Sequence, residues 1–479
     1  MAFHSQIKEI TFQPNLSAIS NEFHEIKPLS SSPQPSTSSA FAMHLISEAR
    51  HFLHAPANKE KYRRSAIDFS RNRCFRFPSL AISILKDHAR PAQDRIIRLF
   101  EERAFVEFPT CPTASAFYQA RSKLIPAFFH DWTSFIVKVF YSTPYSINIM
   151  KKFHGRFVWS IDGSYLTLPD TVETRAMYTV HKNNVPGSET IQALASVAYD
   201  VLNDFPVSAS LGVEQYESNF IPEHYPMVST CAPIILYDRA YASYDTIART
   251  LDAHADFVIR CPLSQTFKVV EDFLASDKTD ETVMLYPQPA KKRLAKKCGW
   301  PLEVEVRLVK VVLDDGTIEI LMTSLLDREE YPACEFKWLY GIRWGVETGL
   351  YRFKVQLEVE CFSSGKAWNI MQDFHATIFL QALESIINKA IDHDIIAKSQ
   401  ENHSKFEYHV NKSVAYTTVS IHLVSLFLLD QKALELAITA IQHEVRLCAT
   451  PIRPGRHNLR EIPKVSKSLK YHKYWKKRR

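Results

Sequence analysis

The sequence predicts an α/β core held between two helical regions, and three patterns predict it. Apolar residues recur at helical spacing before about residue 150 and again after 365. Between them, CAPIILYDRAYASYDTIARTLDAHADFVIRC (231–261) reads strand, helix, strand, the alternation of an α/β sheet. A strand pair, VEVRLVKVVL and IEILMTSLL around a turn at DDGT, lies within 262–336 and looks like a β-rich insertion ahead of a helix at 340.

The chain begins with a flexible segment, 1–40, ending in the Ser/Pro run SSSPQPSTSS. From 41 to 150, AFAMHLISEARHFL, SLAISILKDHA and QDRIIRLFEERAF carry helical spacing. Within that region lie Lys59, Lys61, Arg63, Arg64, Arg71, Arg73 and Arg76, against the acids Glu60 and Asp68. A small helical DNA-binding domain is expected there, although basic helices are often merely solvated. PTASAFYQARSKLIPAFF opens a further helix with Thr113 or Ser115 as N-cap. The α/β core begins at 151 and its first part runs to 261. RFVWSIDGSYLTLP is expected as two short strands around a turn at Gly163, with IQALASVAYDV and FPVSASLG completing an antiparallel meander. Core helices follow at 337–390, a helical C-terminal region at 391–452, and a basic tail at 453–479.

The chain is 479 residues long, 46% apolar and 23% charged, which suits a soluble protein with a sizeable core. The most apolar long run, Ser413 to Leu429, contains His422 and hydroxyls and reads as a buried helix. No apolar signal core opens the chain, so nothing in it directs passage across a membrane. Eight cysteines stand singly without a CxxC pair, which fits reduced thiols in a cytosol and argues against structural zinc. Nucleotide-cradling GxGxxG and GxxxxGK[ST] loops are absent, as are HExxH and GxSxG. Net charge is +6, and the tail from Arg453 holds 11 Lys/Arg against one acid, Glu461. Interleaved with Tyr471, Tyr474 and Trp475, that charge suits a polyanion such as nucleic acid, the plainer alternative being a solubilising appendage. KKRLAKK (291–297) adds five bases in seven residues, among them Lys291, Lys292 and Arg293.

YGIRWGVETGLYRFK (340–354) concentrates the chemistry. At 100° per residue, Tyr340, Arg343, Glu347 and Lys354 share a stripe about 60° wide. Val346, Leu350, Phe353 and Leu357 flank it as the face to be buried. The glycines at 341, 345 and 349 lie opposite, where another backbone can approach. Solvated i,i+4 charge pairs would explain the stripe alone. One acid beside three donors also suits a metal and a phosphodiester together. Two aspartates end apolar runs, Asp162 after FVWSI and Asp238 after APIILY, with Asp200 in VAYDV a rival for the first. A carboxylate at the end of a buried strand needs a cation or a donor. Three such acids can hold a pair of Mg²⁺ ions, which take oxygen ligands and activate an attacking oxygen.

The spacing Tyr340-x2-Arg343-x3-Glu347-x6-Lys354 matches the Y-R-E-K signature of bacterial cut-and-paste insertion-sequence transposases with a DDE active site. SIDGS around Asp162 and YDRAY around Asp238 resemble that family's first and second acidic motifs, and SAFYQARSKL (115–124) is similar to a segment ahead of its catalytic domain. Two departures are visible: Ala240 replaces the usual glycine, and Ser164 stands where threonine is common. The resemblance covers roughly 110–479. It implies an RNase H-like (retroviral-integrase-like) catalytic core with a β-rich insertion, preceded by a helical N-terminal domain and followed by a helical C-terminal region. The 108 residues between Asp238 and Glu347 leave room for that insertion. It implies Asp162, Asp238 and Glu347 as catalytic and metal-holding residues for two Mg²⁺ ions, which Mn²⁺ can replace. Tyr340, Arg343 and Lys354 become the DNA-binding side chains at the cleavage point. It further implies terminal inverted repeats and target DNA as partners, a homodimer on DNA, and a cytoplasmic, nucleoid-associated bacterial location. Two alternatives stand beside it: an RNase H-like nuclease without strand transfer, and a catalytically silent DNA-binding relative.

Overall fold

The computed structural model describes residues 37–86, 90–182, 189–213, 216–263 and 267–453. The segment 1–36 and the basic tail from 454 onward lie outside the described residues. Among the described residues six helices come first: α1 Thr37–His54, α2 Pro56–Tyr62, α3 Phe77–Leu85, α4 Ala92–Glu101, α5 Ala114–Arg121 and α6 Ala127–Ser142. Helix α1 thus starts inside the Ser/Pro run rather than after residue 40. Thr113 is the N-cap of α5, its hydroxyl accepting from the Ala116 amide at 3.2 Å.

The core follows as β1 Val158–Thr167, α7 Val172–Met177, β2 Thr179–Lys182, β3 Glu189–Asp200, β4 Phe205–Gly212, α8 Ile221–Cys231, β5 Ile234–Tyr237, α9 Tyr244–Asp252 and β6 Asp256–Cys261. RFVWSIDGSYLTLP is one unbroken strand, β1, because Gly163 sits in the β1–β3 ladder opposite Ser196 instead of turning the chain. The expected two strands are corrected on that point. Then come α10 Lys268–Ala275, β7 Asp280–Leu285, α11 Pro289–Cys298, β8 Val304–Val312 and β9 Ile318–Thr323. The β8–β9 turn is the expected DDGT, with Gly316 at φ +83°. Three helical pieces close the described chain. The first is the segment α12 Phe336–Gly341, a 3₁₀ turn Ile342–Trp344, α13 Gly345–Tyr351 and a π turn Arg352–Gln356. The second is α14 Ala367–Glu401, and the third is the pair α15 Lys412–Phe427 and α16 Gln431–Leu447.

Among the described residues nine strands form one mixed sheet in the order β2-β3-β1-β5-β6-β9-β8-β7, with β4 beside β3, and two short strands, Tyr408–His409 and Thr450–Pro451, pair apart from it. Strands β1, β5 and β6 run parallel, while β3 pairs antiparallel with β1 and β4 antiparallel with β3. The strands from 262–336 extend this sheet through the antiparallel β6–β9 pair. Strand alternation gives the sheet two faces. Trp159, Ile161, Ile235 and Tyr237 face a core shared with α1, α6 and α14, in which the rings of Trp132 and Phe379 stack at 3.9 Å. Val158, Ile234 and Leu236 face the other side, which Phe336, Leu339 and Tyr340 cover. Helix α5 is anchored on α14 by Arg121, fully buried and paired with Asp373 at 2.8 Å. No helix among the described residues is long and apolar enough to cross a membrane.

Candidate active site

Strand register places the two aspartates. The β1–β5 ladder pairs Val158 with Ile234 and Ser160 with Leu236. Two residues further on, Asp162 stands within β1 and Asp238 just past the end of β5, where it caps the 3₁₀ turn Arg239–Tyr241. By alternation both point to the face that the 336–356 helical segment covers. Asp162 Oδ1 accepts from the Gly163 amide at 2.9 Å, and Asp238 Oδ1 from the Arg239 amide at 2.6 Å. Asp200 lies outside this group. It pairs with Trp159 across the ladder, is fully buried, and accepts from the Tyr141 hydroxyl, the Asn203 amide group and the amides of Leu202 and Asn203. That makes Asp200 the structural acid of the β3–β4 turn.

The 340–354 stretch is helical throughout but changes pitch three times, from α to 3₁₀, back to α and then to π. Val346, Leu350, Phe353 and Leu357 are buried together with Leu166, Tyr199 and Ile370, as the wheel requires. Two of the three glycines allow close approach, most tightly Gly349, where an added Cβ would lie 2.5 Å from the Tyr199 ring. Tyr340 turns inward, its hydroxyl donating to the Tyr237 carbonyl at 3.3 Å and so clamping α12 over the end of β5. Arg343 is 5% exposed and donates from Nη2 to Glu347 Oε1 at 2.8 Å, with its guanidinium over the Trp344 ring. Lys354 donates to the Tyr165 carbonyl at 2.6 Å, three residues beyond Asp162 on β1. The neighbouring Arg352, for which the signature offers no role, is buried and bonds Asp204 at 2.6 Å, fastening the helix to the β3–β4 turn. Lys291, Lys292 and Arg293 stand exposed on α11, with Lys291 tied to Asp245 of α9 at 2.7 Å.

Electrostatics link the acids through one cation. Burial pushes the Asp162 carboxyl up to about 6, and the negative charges of Glu217 and Glu347 add to it, while the Gly163 amide and Arg343 pull it back. Burial works against the Arg343 charge, but Tyr340, Glu347 and Asp238 around it outweigh that and raise its pKa. Burial also raises Glu217, with Asp238 contributing, whereas the Tyr241 hydroxyl and Gly163 amide lower it. Sequence reading missed Glu217. It lies in no motif, and only the folded chain brings it beside Gly163. Ala240, the first of the two visible departures, is accommodated without strain, since it sits in a 3₁₀ turn and lacks positive φ.

Among the described residues, no three Asp, Glu, His or Cys side chains are gathered closely enough to hold a metal ion as they stand. The donor chemistry nevertheless fits a hard divalent cation. The groups are carboxylate oxygens on partly buried strand ends, they outnumber the local cations, and Glu347 is turned toward Arg343.

Residues 160–377 match the family described as Transposase DDE domain, a span that contains Asp162, Asp238 and Glu347. A mixed sheet with helices on both faces is consistent with an RNase H-like core in that domain. That match supports a DDE-type transposase, an enzyme of DNA recombination and transposition. The protein is also similar to a chain in the cryo-EM structure of a piggyBac transposase synaptic complex with hairpin DNA. That likeness covers 90% of this chain and 87% of that one, at 12% identity and a TM-score of 0.36, too distant to bear on function. No curated protein matches the chain.

Proposed function

We propose that the protein is a cut-and-paste transposase of the bacterial insertion-sequence type. It binds terminal inverted repeats, cuts at the transposon ends and joins the freed 3′-OH to target DNA. The observation that carries this reading is the placement of Asp162 within β1 and Asp238 just past the parallel strand β5, with Glu347 laid over the same face. These three carboxylates hold the divalent cations, Mg²⁺ or its substitute Mn²⁺. When bound, such an ion pair supplies the positive charge that favours deprotonation of the attacking oxygen and steadies the leaving one. The planar fork of Arg343 grips the scissile phosphate, with Lys354 and Tyr340 beside it. Lys291, Lys292 and Arg293 meet the flanking duplex, and the basic tail adds sequence-independent attraction. Two protomers pair two ends in a homodimer.

Labelled terminal-repeat DNA with its flank, incubated with the protein and Mg²⁺, tests the reading. Nicks at the repeat ends, followed by joining to a supercoiled plasmid, are the expected products. Nicking without joining would leave only an RNase H-like nuclease. Intact DNA in both Mg²⁺ and Mn²⁺ would sink the reading altogether.

A further inference from the structure

A polar cavity of about 190 Å³ opens at the β3–β4 turn, beside the start of β1. Asp238 stands past the far end of the parallel strand β5, so this cavity is separate from the candidate active site. Three lysines from three parts of the chain line it: Lys151 ahead of β1, Lys389 on α14 and Lys412 in the first turn of α15. Lys151 is exposed. Lys389 donates to the Asn203 carbonyl at 3.2 Å, which engages one of its three N–H groups. Lys412 meets Asp204 at 3.1 Å.

Balancing the two acids of the cavity would explain part of this cluster, but those acids already have other partners. Asp204 is bonded to Arg352 and Tyr199 besides Lys412, and Asp392 to His409 and the Val410 amide. Burial, followed by the positive charges of Lys412 and Lys151, pulls Lys389 down to about 8, and Asp204 and Asp200 do not restore it. Asn388 lines the same cavity at 1% exposure. Its Nδ2 donates to the Glu384 carbonyl at 2.8 Å, while its Oδ1 has no hydrogen-bond partner among the described residues. A buried polar atom in that state calls for one more group. A hydrated phosphate supplies both needs, its oxygens meeting the ammonium groups and its water the amide. His409 also lines the cavity, and its short strand pairs with Thr450, three residues before Arg453. The basic tail, with 11 Lys/Arg counted from Arg453, therefore begins beside this cavity. A pocket for one phosphate at the head of a basic chain suits a strand of many phosphates better than a lone small anion.

We propose that Lys151, Lys389 and Lys412 form a pocket that holds one backbone phosphate of duplex DNA away from the cleavage point, at the root of the basic tail. The proposal rests on the transposase reading above and adds to it a DNA contact outside the Tyr340, Arg343 and Lys354 set.

The test is binding of a random-sequence duplex to the full chain across a range of salt, with thermal unfolding in inorganic phosphate measured alongside. Lys151→Gln and Lys389→Gln combined should flatten the slope of log affinity on log salt by about 0.9, the value for one phosphate. Two separate contacts would flatten it by about 1.8, and that result would break up the pocket. Should the double variant fail to fold, Lys151→Gln decides alone, because its side chain is exposed and its loss should still flatten the slope. An unchanged slope in a folded variant overturns the proposal. If inorganic phosphate raises the unfolding temperature through these lysines while the duplex slope stays unchanged, the pocket serves a small anion and the DNA assignment falls. Random-sequence DNA keeps these outcomes apart from the transposase reading. That reading falls instead if the unmodified protein neither prefers nor nicks terminal-repeat DNA, and the slope still decides the pocket.

Discussion

Arg343 is the side chain on which the site turns. It is buried, bonded to Glu347 at 2.8 Å and within the electrostatic reach of Asp162 and Asp238. Removing it deletes a donor fork for phosphate and at the same time frees Glu347. Arg343→Ala should therefore lower end cleavage at least about 100-fold, roughly 2.7 kcal/mol, while Mn²⁺ binds as tightly as before or tighter. Loss of Mn²⁺ binding in that variant would show that Arg343 supports the carboxylates instead of competing for one. Glu347→Gln should do the reverse, abolishing cleavage while keeping end-specific DNA binding in a gel shift. The two rival aspartates separate just as cleanly. Asp162→Asn should end nicking with an unfolding temperature at neutral pH that is no lower, since it removes a charge that burial disfavours. Asp200→Asn should destabilise by about 1–3 kcal/mol, since Tyr141 and Asn203 donate to a carboxylate that an amide nitrogen cannot replace. Nicking activity and denaturant midpoints on both variants check the pair.

At the scale of elements, the sequence carried most of what periodicity can carry. The strand–helix–strand run at 231–261, the β8–β9 hairpin and the apolar face Val346, Leu350, Phe353 and Leu357 all fold as their spacing requires. The break expected at Gly163 failed because a glycine in a strand reads as a turn, whereas here it serves a neighbour distant in sequence. Arg121, Arg352 and Glu217 were illegible for the same reason, their partners Asp373, Asp204 and Gly163 lying far off in the chain and in no shared motif. Glycine in α13 shows the tension between levels. Gly349→Ala would gain about 1 kcal/mol of helix propensity, yet its methyl would meet the buried Tyr199 ring at 2.5 Å. Overpacking of this kind costs about 1–3 kcal/mol, so the net effect should be a lower denaturant midpoint, and an unchanged or higher one would refute the close approach. Helix α11 lends itself to a milder test. Gln at Lys292, Arg293 and Lys296 should flatten the salt dependence of DNA binding by about 0.9 for each phosphate that is no longer neutralised, and an unchanged slope would leave α11 merely solvated.

The described residues are built around a nine-stranded sheet covered on both faces, and the titratable groups it buries shift in opposing senses. His224 lies between Ser196 and Ser208, each 3.0 Å from a ring nitrogen, and burial lowers its pKa to about 3. Burial lowers His375 to about 3 as well. Against the ordinary value of 6.5, the unfolded chain takes up these two protons first, so stability falls as pH drops below 6.5. Asp162 and Asp200 act oppositely. Burial raises both to about 6 from 3.8, so between those values the folded chain holds the extra protons and gains stability as pH falls. From about pH 6 to 5 the pairs oppose one another, two protons against two, and the denaturant midpoint should stay nearly level. Below 3.8 the aspartates are protonated in both states and cease to compensate. The histidines then act alone, joined by carboxylates such as Asp392 and Asp280 whose pKa values the fold depresses, burial notwithstanding, through hydrogen bonds to His409 and Arg307 respectively. There the two histidines by themselves lower stability by up to about 2.7 kcal/mol per pH unit, the slope for two protons, easing toward pH 3 as they take up protons in the folded state as well. Urea midpoints taken across pH 7 to 3 measure this directly. A steady decline beginning at 6.5 would mean that the two aspartates stay ionised in the folded protein.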